Sequence, residues 1–117
     1  MRSDLVDMKV EQRGEVVVAR VTGELDLASA PRAGEEIEAA VPPSARGLVV
    51  DFSELDFIDS SGIAMLFTLA RRLGGRRQEL RVVTSPGEPV SRVLDLVEFG
   101  RAAPLHADLD SAVAEIA

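Results

Sequence analysis

The chain contains no cysteine, tryptophan or tyrosine, and it has only four phenylalanines among 117 residues. Without cysteine there is no disulfide bond, no thiolate metal site and no thiol nucleophile. The shortage of aromatic rings leaves few surfaces on which nucleic-acid bases could stack. A net charge of −7 also repels phosphate backbones. We therefore expect no nucleic-acid partner.

Long apolar runs are missing as well, since the longest covers only residues 63–67. The first eight residues carry Asp4 and Asp7 and lack the apolar centre of a signal peptide. We expect neither a leader nor a membrane helix, and a cytoplasmic protein. With 46% hydrophobic and 28% charged residues, the composition is that of a folded domain. The length fits one domain over residues 1–117.

Hydrophobic patterning predicts a small mixed sheet of four to five strands. Alternation from Met8 to Gln12 and a β-branched run over 15–22 indicate a hairpin. Short apolar runs at 48–52 and 80–84 indicate two buried strands, and a weaker strand is expected near 102–106. A helix lies between the two buried strands, which predicts parallel pairing with a right-handed crossover.

About four helices are predicted to pack against this sheet, which gives an α/β fold. The first follows Ser29, whose hydroxyl is suited to capping it. The second spans 61–73 and stops at Gly74-Gly75. The third ends at Gly100, and the fourth begins after Asp108, which is suited to capping it.

Acidic and hydroxyl residues cluster where the second helix begins, in the sequence Asp-Phe-Ile-Asp-Ser-Ser-Gly at 56–62. Such residues are common at helix N-termini, because their oxygens accept hydrogen bonds from the first free N–H groups. A second acidic segment, Gly-Glu-Leu-Asp at 23–26, also lies between a strand and a helix. If the two strands are parallel, Asp26 and Ser60 lie at the same edge of the sheet.

The second helix has apolar residues on two sides. At about 100° per residue, Met65 and Leu69 project away from the sheet, with Ala64 and Thr68 beside them. A surface helix without a partner usually carries charges there, so Met65 and Leu69 are predicted to form an exposed docking face. The face that would cover the sheet consists of Ile63, Leu66, Phe67, Ala70 and Leu73.

Gly-Glu-Leu-Asp at 23–26, Phe-Ile-Asp-Ser-Ser-Gly-Ile at 57–63 and Ser-Pro at 85–86 resemble the STAS-domain anti-sigma factor antagonists of bacteria. The resemblance covers nearly the whole chain and implies the STAS fold. In that family, a partner that is both anti-sigma factor and ATP-dependent kinase phosphorylates the serine after the Asp of Asp-Ser-Ser-Gly. The matching residue is Ser60, and Ser61 is a lesser candidate.

The resemblance also implies how such a protein works. The unphosphorylated antagonist binds the anti-sigma factor and frees the sigma factor; phosphorylation ends this binding, and a metal-dependent PP2C-type serine phosphatase restores it. ATP and the divalent metal belong to these partners, so we expect no cofactor or metal on this chain. Ala64 departs from the family pattern, in which many members have glycine. The resemblance and the helix geometry together assign partner contact to Glu24, Asp26, Asp59, Ser60, Ser61, Gly62, Ala64, Met65, Thr68 and Leu69.

A phosphate on Ser60 adds about −1.5 to −2 charges beside helix N–H groups that accept anions well. We therefore expect the fold to survive phosphorylation. Burying the same hydrated charge under a partner docked on Met65 and Leu69 is costly. Loss of binding is expected from charge and desolvation at the interface, without a large backbone movement.

Other classes of function have less support. An enzyme with Ser60 as nucleophile lacks a base, because the only histidine is His106 in the weak last strand, and the flanking sequence is not Gly-x-Ser-x-Gly. A lone histidine offers no metal-ligand set, and no nucleotide-binding Gly-x-x-x-x-Gly-Lys-Ser/Thr loop is present. One alternative stays open: a non-switching STAS adaptor subunit of a stress-signalling assembly or a lipid transporter.

Overall fold

The computed structural model describes residues 6–117, and over this range it contains one six-stranded sheet and four α-helices. The helices are α1 (Ala30–Ala39), α2 (Ser60–Gly75), α3 (Pro89–Leu96) and α4 (Leu109–Ile116), with a 3-10 turn at Phe99–Arg101. This confirms the α/β class and the number of helices. The strands are β1 (Val6–Arg13), β2 (Val16–Leu25), β3 (Gly47–Asp51), β4 (Leu55–Ile58), β5 (Glu79–Val83) and β6 (Leu105–His106).

The strand order is β1-β2-β3-β5-β6, and β4 pairs with the end of β2 beyond β3. β1 and β2 form the predicted antiparallel hairpin, in which Gly14 takes a φ of 63°. That left-handed conformation is accessible to glycine because it has no Cβ. The remaining pairs are parallel, and the pairing of β3 with β5 across α2 confirms the parallel arrangement expected of the two buried strands.

β4 is a strand that the sequence pattern does not predict, so the sheet has six strands where four to five are expected. It is only four residues long, and its two middle residues, Asp56 and Phe57, are exposed. The buried residues, Leu55 and Ile58, are three apart and give no alternation of period two. β4 is nevertheless important, because it leads directly into α2.

The core has two layers because alternate residues of each strand point to opposite faces of the sheet. The larger layer joins the sheet to α1, α2 and α3, and it includes Val17, Ile37, Val50, Leu66 and Leu94. The smaller layer lies under α4 and consists of Val16, Val18, Val49, Val83, Ala112 and Ile116.

Two helix ends differ from the prediction. α2 continues through Gly74-Gly75, and the chain turns only after it, where Arg77 has a left-handed φ of 59°. A glycine inside a helix weakens it without ending it. α3 ends at Leu96 rather than Gly100, and the fully buried ring of Phe99 follows. The ring of Phe99 packs edge-to-face on Phe67 of α2, with the ring centroids 5.0 Å apart, and this burial takes precedence over continued helical periodicity.

The helix caps follow the prediction at α4 but not at α1. The carboxylate of Asp108 accepts a hydrogen bond from the N–H of Ser111 at 2.8 Å, which confirms Asp108 as the cap of α4. Ser29 occupies the capping position of α1, but its hydroxyl makes no capping bond. None of the helices in residues 6–117 is long and apolar enough to cross a membrane.

Candidate functional site at the ends of β2 and β4

The loops that follow β2 and β4 lie side by side. Leu25 and Ile58, the last residues of the two strands, are paired in parallel register. The N–H of Asp59 donates to the carbonyl of Leu25 at 3.0 Å and fixes this arrangement. Asp26 and Ser60, which follow these strand ends, therefore lie at the same edge of the sheet, as expected for two parallel strands. The strand that leads to Ser60 is β4, whereas the sequence suggests β3.

Asp59 caps the N-terminus of α2. Its Oδ1 accepts hydrogen bonds from the N–H groups of Ser61 at 2.8 Å and Gly62 at 3.3 Å. Its carbonyl accepts from the N–H of Ile63 at 3.0 Å. The two bonds to Oδ1 satisfy donors that a helix N-terminus otherwise leaves free. The capping interpretation of the motif is thus confirmed, and an anion added here meets a carboxylate that already holds the N–H groups.

The two serines of the motif differ in accessibility. Ser60, the first residue of α2, is exposed, and Ser61 is half-buried. Ser60 is therefore the more accessible of the two serines. The neighbouring Asp59 is half-buried and held by its capping bonds, which leaves the Ser60 side chain as the outermost polar group of the helix start.

Gly62 allows α2 to start close to the sheet. A Cβ at this position would lie 2.6 Å from Cγ1 of Ile58 and 3.1 Å from Cβ of Leu25. Side chains essentially never approach this closely in a packed core, so glycine is required here. Gly62 is buried, which places it beneath the surface on which the sequence predicts it. Its contribution in this structure is to position the start of α2, and with it Ser60.

Asp26 organises the loop between β2 and α1. Its Oδ1 accepts from the N–H groups of Ala28 at 3.0 Å and Ser29 at 3.1 Å. The hydroxyl of Ser29, which is 3% exposed, donates to the carbonyl of Glu24 at 2.8 Å and accepts from the N–H of Asp26 at 3.1 Å. The expectation that the Ser29 hydroxyl caps α1 is wrong because this hydroxyl binds back to the end of β2. The Asp26 carboxylate holds the loop before α1, and the Asp26 carbonyl accepts from the N–H of Ala30 at 2.8 Å.

Met65 and Leu69 do not form an exposed face, and this expectation is also wrong. They are 8% and 2% exposed, because α1 packs over them. The contact is close at Gly34 of α1, where a Cβ would lie 2.7 Å from Cγ of Met65. Helical periodicity places these residues away from the sheet, but it contains no information on which other helix covers them.

A groove of about 420 Å³ runs between α1 and α2, starting beside Ser61. The buried Met65 and Leu69 lie at its base, and Leu27, which is 76% exposed, lines it from the loop after Asp26. Sequence reasoning does not single out Leu27, although an apolar residue in an acidic loop is a signal. The predicted partner residues that are exposed or half-buried are Glu24, Asp26, Asp59, Ser60, Ser61, Ala64 and Thr68.

Three acidic side chains and two serines lie at this edge of the sheet. Glu24, Asp26 and Asp59 form no ion pairs with other residues in the range 6–117. His106 lies on the edge strand β6, which β3 and β5 separate from β2, so it is not beside Ser60. Within the described range, no three acidic or histidine side chains cluster as a metal site would require.

Comparisons with known proteins show the family of this chain. A family model described as the STAS domain matches residues 7–112. An anti-sigma factor antagonist from Mycobacterium paratuberculosis is 30% identical, with a TM-score of 0.85 and coverage of 97% of this chain and 95% of that chain. No curated protein matches the sequence. The chain belongs to the STAS-domain family of anti-sigma factor antagonists.

Two structures of SpoIIAA share the same fold. Phosphorylated SpoIIAA from Bacillus is 23% identical, with a TM-score of 0.70 and coverage of 95% of this chain and 100% of that chain. Unphosphorylated SpoIIAA is 22% identical, with a TM-score of 0.70 and coverage of 93% and 96%. The fold of this chain is thus similar to both forms of SpoIIAA.

Proposed function

We propose that this chain is a cytoplasmic anti-sigma factor antagonist that is controlled by phosphorylation of Ser60. Unphosphorylated, it binds an anti-sigma factor with serine kinase activity and so releases a sigma factor. Phosphorylation of Ser60 by that partner ends the binding, and a PP2C-type serine phosphatase restores it. The chain itself catalyses no reaction. The observation that carries the proposal is the exposed Ser60 hydroxyl at the junction of two acidic strand ends, on the fold of known antagonists.

The surroundings of Ser60 indicate how the fold tolerates a phosphate. Because Asp59 already binds the N–H groups of Ser61 and Gly62, the helix start needs no new anion. The Asp59 carboxylate repels the added charge of about −1.5 to −2, so the phosphate extends into solvent. The similarity of this fold to both forms of SpoIIAA, which match it with equal TM-scores of 0.70, supports a switch without refolding.

The same surroundings make the phosphate incompatible with a docked partner. A partner that covers Ser60 would also cover the neighbouring exposed Ala64 and the apolar Leu27. The phosphate occupies the space that such a surface needs, and its hydration shell has to be removed on binding. Burying a charged group without compensating hydrogen bonds costs several kcal/mol or more, which is enough to abolish a micromolar interaction.

The proposal is tested by a pull-down from the source organism's lysate with three versions of the chain as bait. Ser60→Ala keeps the surface uncharged, Ser60→Asp adds a charge at the proposed switch, and Ser61→Ala is a control at the neighbouring half-buried serine. We expect Ser60→Ala and Ser61→Ala to retain an anti-sigma kinase that Ser60→Asp loses. If both Ser60 variants retain the same transporter or assembly subunits, the chain is a constitutive adaptor and the proposal is wrong.

A further inference from the structure

β1 leaves one long edge of the sheet open. It pairs with β2 along its full length in a regular antiparallel register, and it is the first strand in the sheet order, so its other side has no strand partner within residues 6–117. An open edge presents N–H and C=O groups that pair readily with a strand of another molecule. β1 is eight residues long, has a regular register and contains no proline, so only its side chains limit such pairing.

Charges alternate in sign along one face of β1. Asp7, Lys9, Glu11 and Arg13 are two residues apart, so their side chains lie on the same face of the strand. The order along the chain is negative, positive, negative, positive. This order is its own complement when a second copy of the strand runs in the opposite direction.

We propose that the chain dimerises by antiparallel pairing of two β1 strands about a twofold axis through Val10. In this register Asp7 lies opposite Arg13 of the second copy and Lys9 lies opposite Glu11, so every charged pair joins opposite signs. A shift by two residues places either Lys9 opposite Lys9 or Glu11 opposite Glu11. Like charges directly opposite destabilise a strand pair, so the charges favour the Val10 register over both of these shifts. A shift by one residue places charged residues of one copy opposite uncharged residues of the other, for example Lys9 opposite Val10.

The other face of β1 supports the same axis. Val10 is 48% exposed although it is a large apolar residue in a strand. On the proposed axis the two Val10 side chains face each other, and a β-branched pair of this kind is favourable in a sheet.

On the charged face, Glu11 binds Arg13 through Oε2 within its own chain at 2.8 Å, which leaves Oε1 for Lys9 of the second copy.

The alternating charges also have an ordinary explanation, since charged side chains protect edge strands against aggregation. Protection against aggregation requires only that charges are present, whereas the self-complementary order favours the Val10 register over the registers shifted by two residues. The proposed interface is independent of the Ser60 switch. Gly23 of β2 pairs with Val6 of β1 on one side and with Leu55 of β4 on the other, so the dimer edge and the strand leading to Ser60 lie on opposite sides of β2.

The test is a mixing experiment with the full chain, using sedimentation equilibrium to measure the dimer dissociation constant. Lys9→Glu places Glu opposite Glu11, and Glu11→Lys places Lys opposite Lys9, so each variant alone is expected to dimerise about tenfold more weakly than wild type or worse. An equimolar mixture pairs the two variants with opposite charges and is expected to recover the dimer as a heterodimer. Circular dichroism verifies that each variant is folded.

Each outcome decides the proposal. Recovery on mixing supports it, because a general loss of stability in either variant could not be repaired by the other. A wild-type chain that stays monomeric up to about 1 mM overturns it. A dimer whose dissociation constant in both variants equals that of wild type also overturns it, because that dimer uses another surface. Two weakened variants that stay weak on mixing also overturn it.

Discussion

Replacing Gly62 by alanine tests the packing that positions Ser60. The added Cβ would lie 2.6 Å from Cγ1 and 3.1 Å from Cδ1 of Ile58, and 3.1 Å from Cβ of Leu25. Ile58 and Leu25 are buried strand ends paired with each other, so neither can move aside without disturbing the sheet. Overpacking of a core costs about 1–3 kcal/mol, and the better helix propensity of alanine offsets at most about 1 kcal/mol.

We therefore expect Gly62→Ala to lower the free energy of unfolding by about 1–2 kcal/mol. At this chain length the loss corresponds to a decrease in Tm of roughly 4–8 °C. Gly74→Ala is a matched control in the same helix, because no atom lies within 4 Å of its added Cβ. That substitution is expected to leave stability unchanged or to raise it by up to about 1 kcal/mol. Urea denaturation followed by circular dichroism measures both.

The two glycine variants together distinguish packing from helix propensity. Propensity alone stabilises both variants, whereas packing destabilises only Gly62→Ala. If Gly62→Ala is as stable as Gly74→Ala, the close approach of α2 to Ile58 and Leu25 is not a real constraint and the reasoning is refuted.

Three further predictions concern hydrogen bonds. Ser29→Ala removes the partner of the Glu24 carbonyl and is expected to lower the free energy of unfolding by about 1–3 kcal/mol in urea denaturation; no loss would show that this bond is replaced. Asp59→Ala is expected to cost about 0.5–2 kcal/mol, and Asp59→Asn, which keeps an acceptor, clearly less; equal losses would contradict the capping role. The hydrogen bond from the Ser111 N–H lowers the pKa of Asp108, followed by that from its hydroxyl. Because this pKa is lower in the folded chain, the ionised Asp108 stabilises the fold at pH values above its unfolded pKa, and this stabilisation is lost as the pH falls through its folded pKa. An NMR titration is expected to give a higher pKa for Asp108 in Ser111→Ala than in wild type. An unchanged pKa would contradict the role of the Ser111 hydroxyl.

Much of the fold follows from local patterns in the sequence. Alternation over β1, the β-branched run of β2 and the Asp108 cap each depend on neighbouring residues, and each is found as predicted. The edge shared by Asp26 and Ser60 also follows, because parallel strands bring their ends together. These features need no knowledge of distant contacts.

The predictions that fail concern features that depend on contacts between residues distant in the sequence. β4 is stabilised by pairing with β2, so the hydrophobic pattern of its own four residues does not predict a strand. Met65 is covered because α1 approaches through Gly34, an association that helical periodicity cannot show. Ser29 binds back to β2 because that loop is compact, and a hydroxyl at a capping position has more than one partner available. The sequence therefore predicts where the candidate site lies, but it predicts less well which of the neighbouring side chains are exposed.

In the proposed switch, a phosphate on Ser60 controls binding while the fold stays the same. The most direct test of this switch is the dissociation constant of the captured anti-sigma factor for the chain phosphorylated at Ser60, compared with the unphosphorylated chain by titration calorimetry. We predict binding weaker by about 100-fold or more, with unchanged far-ultraviolet circular dichroism. Equal dissociation constants for the two forms would contradict the account.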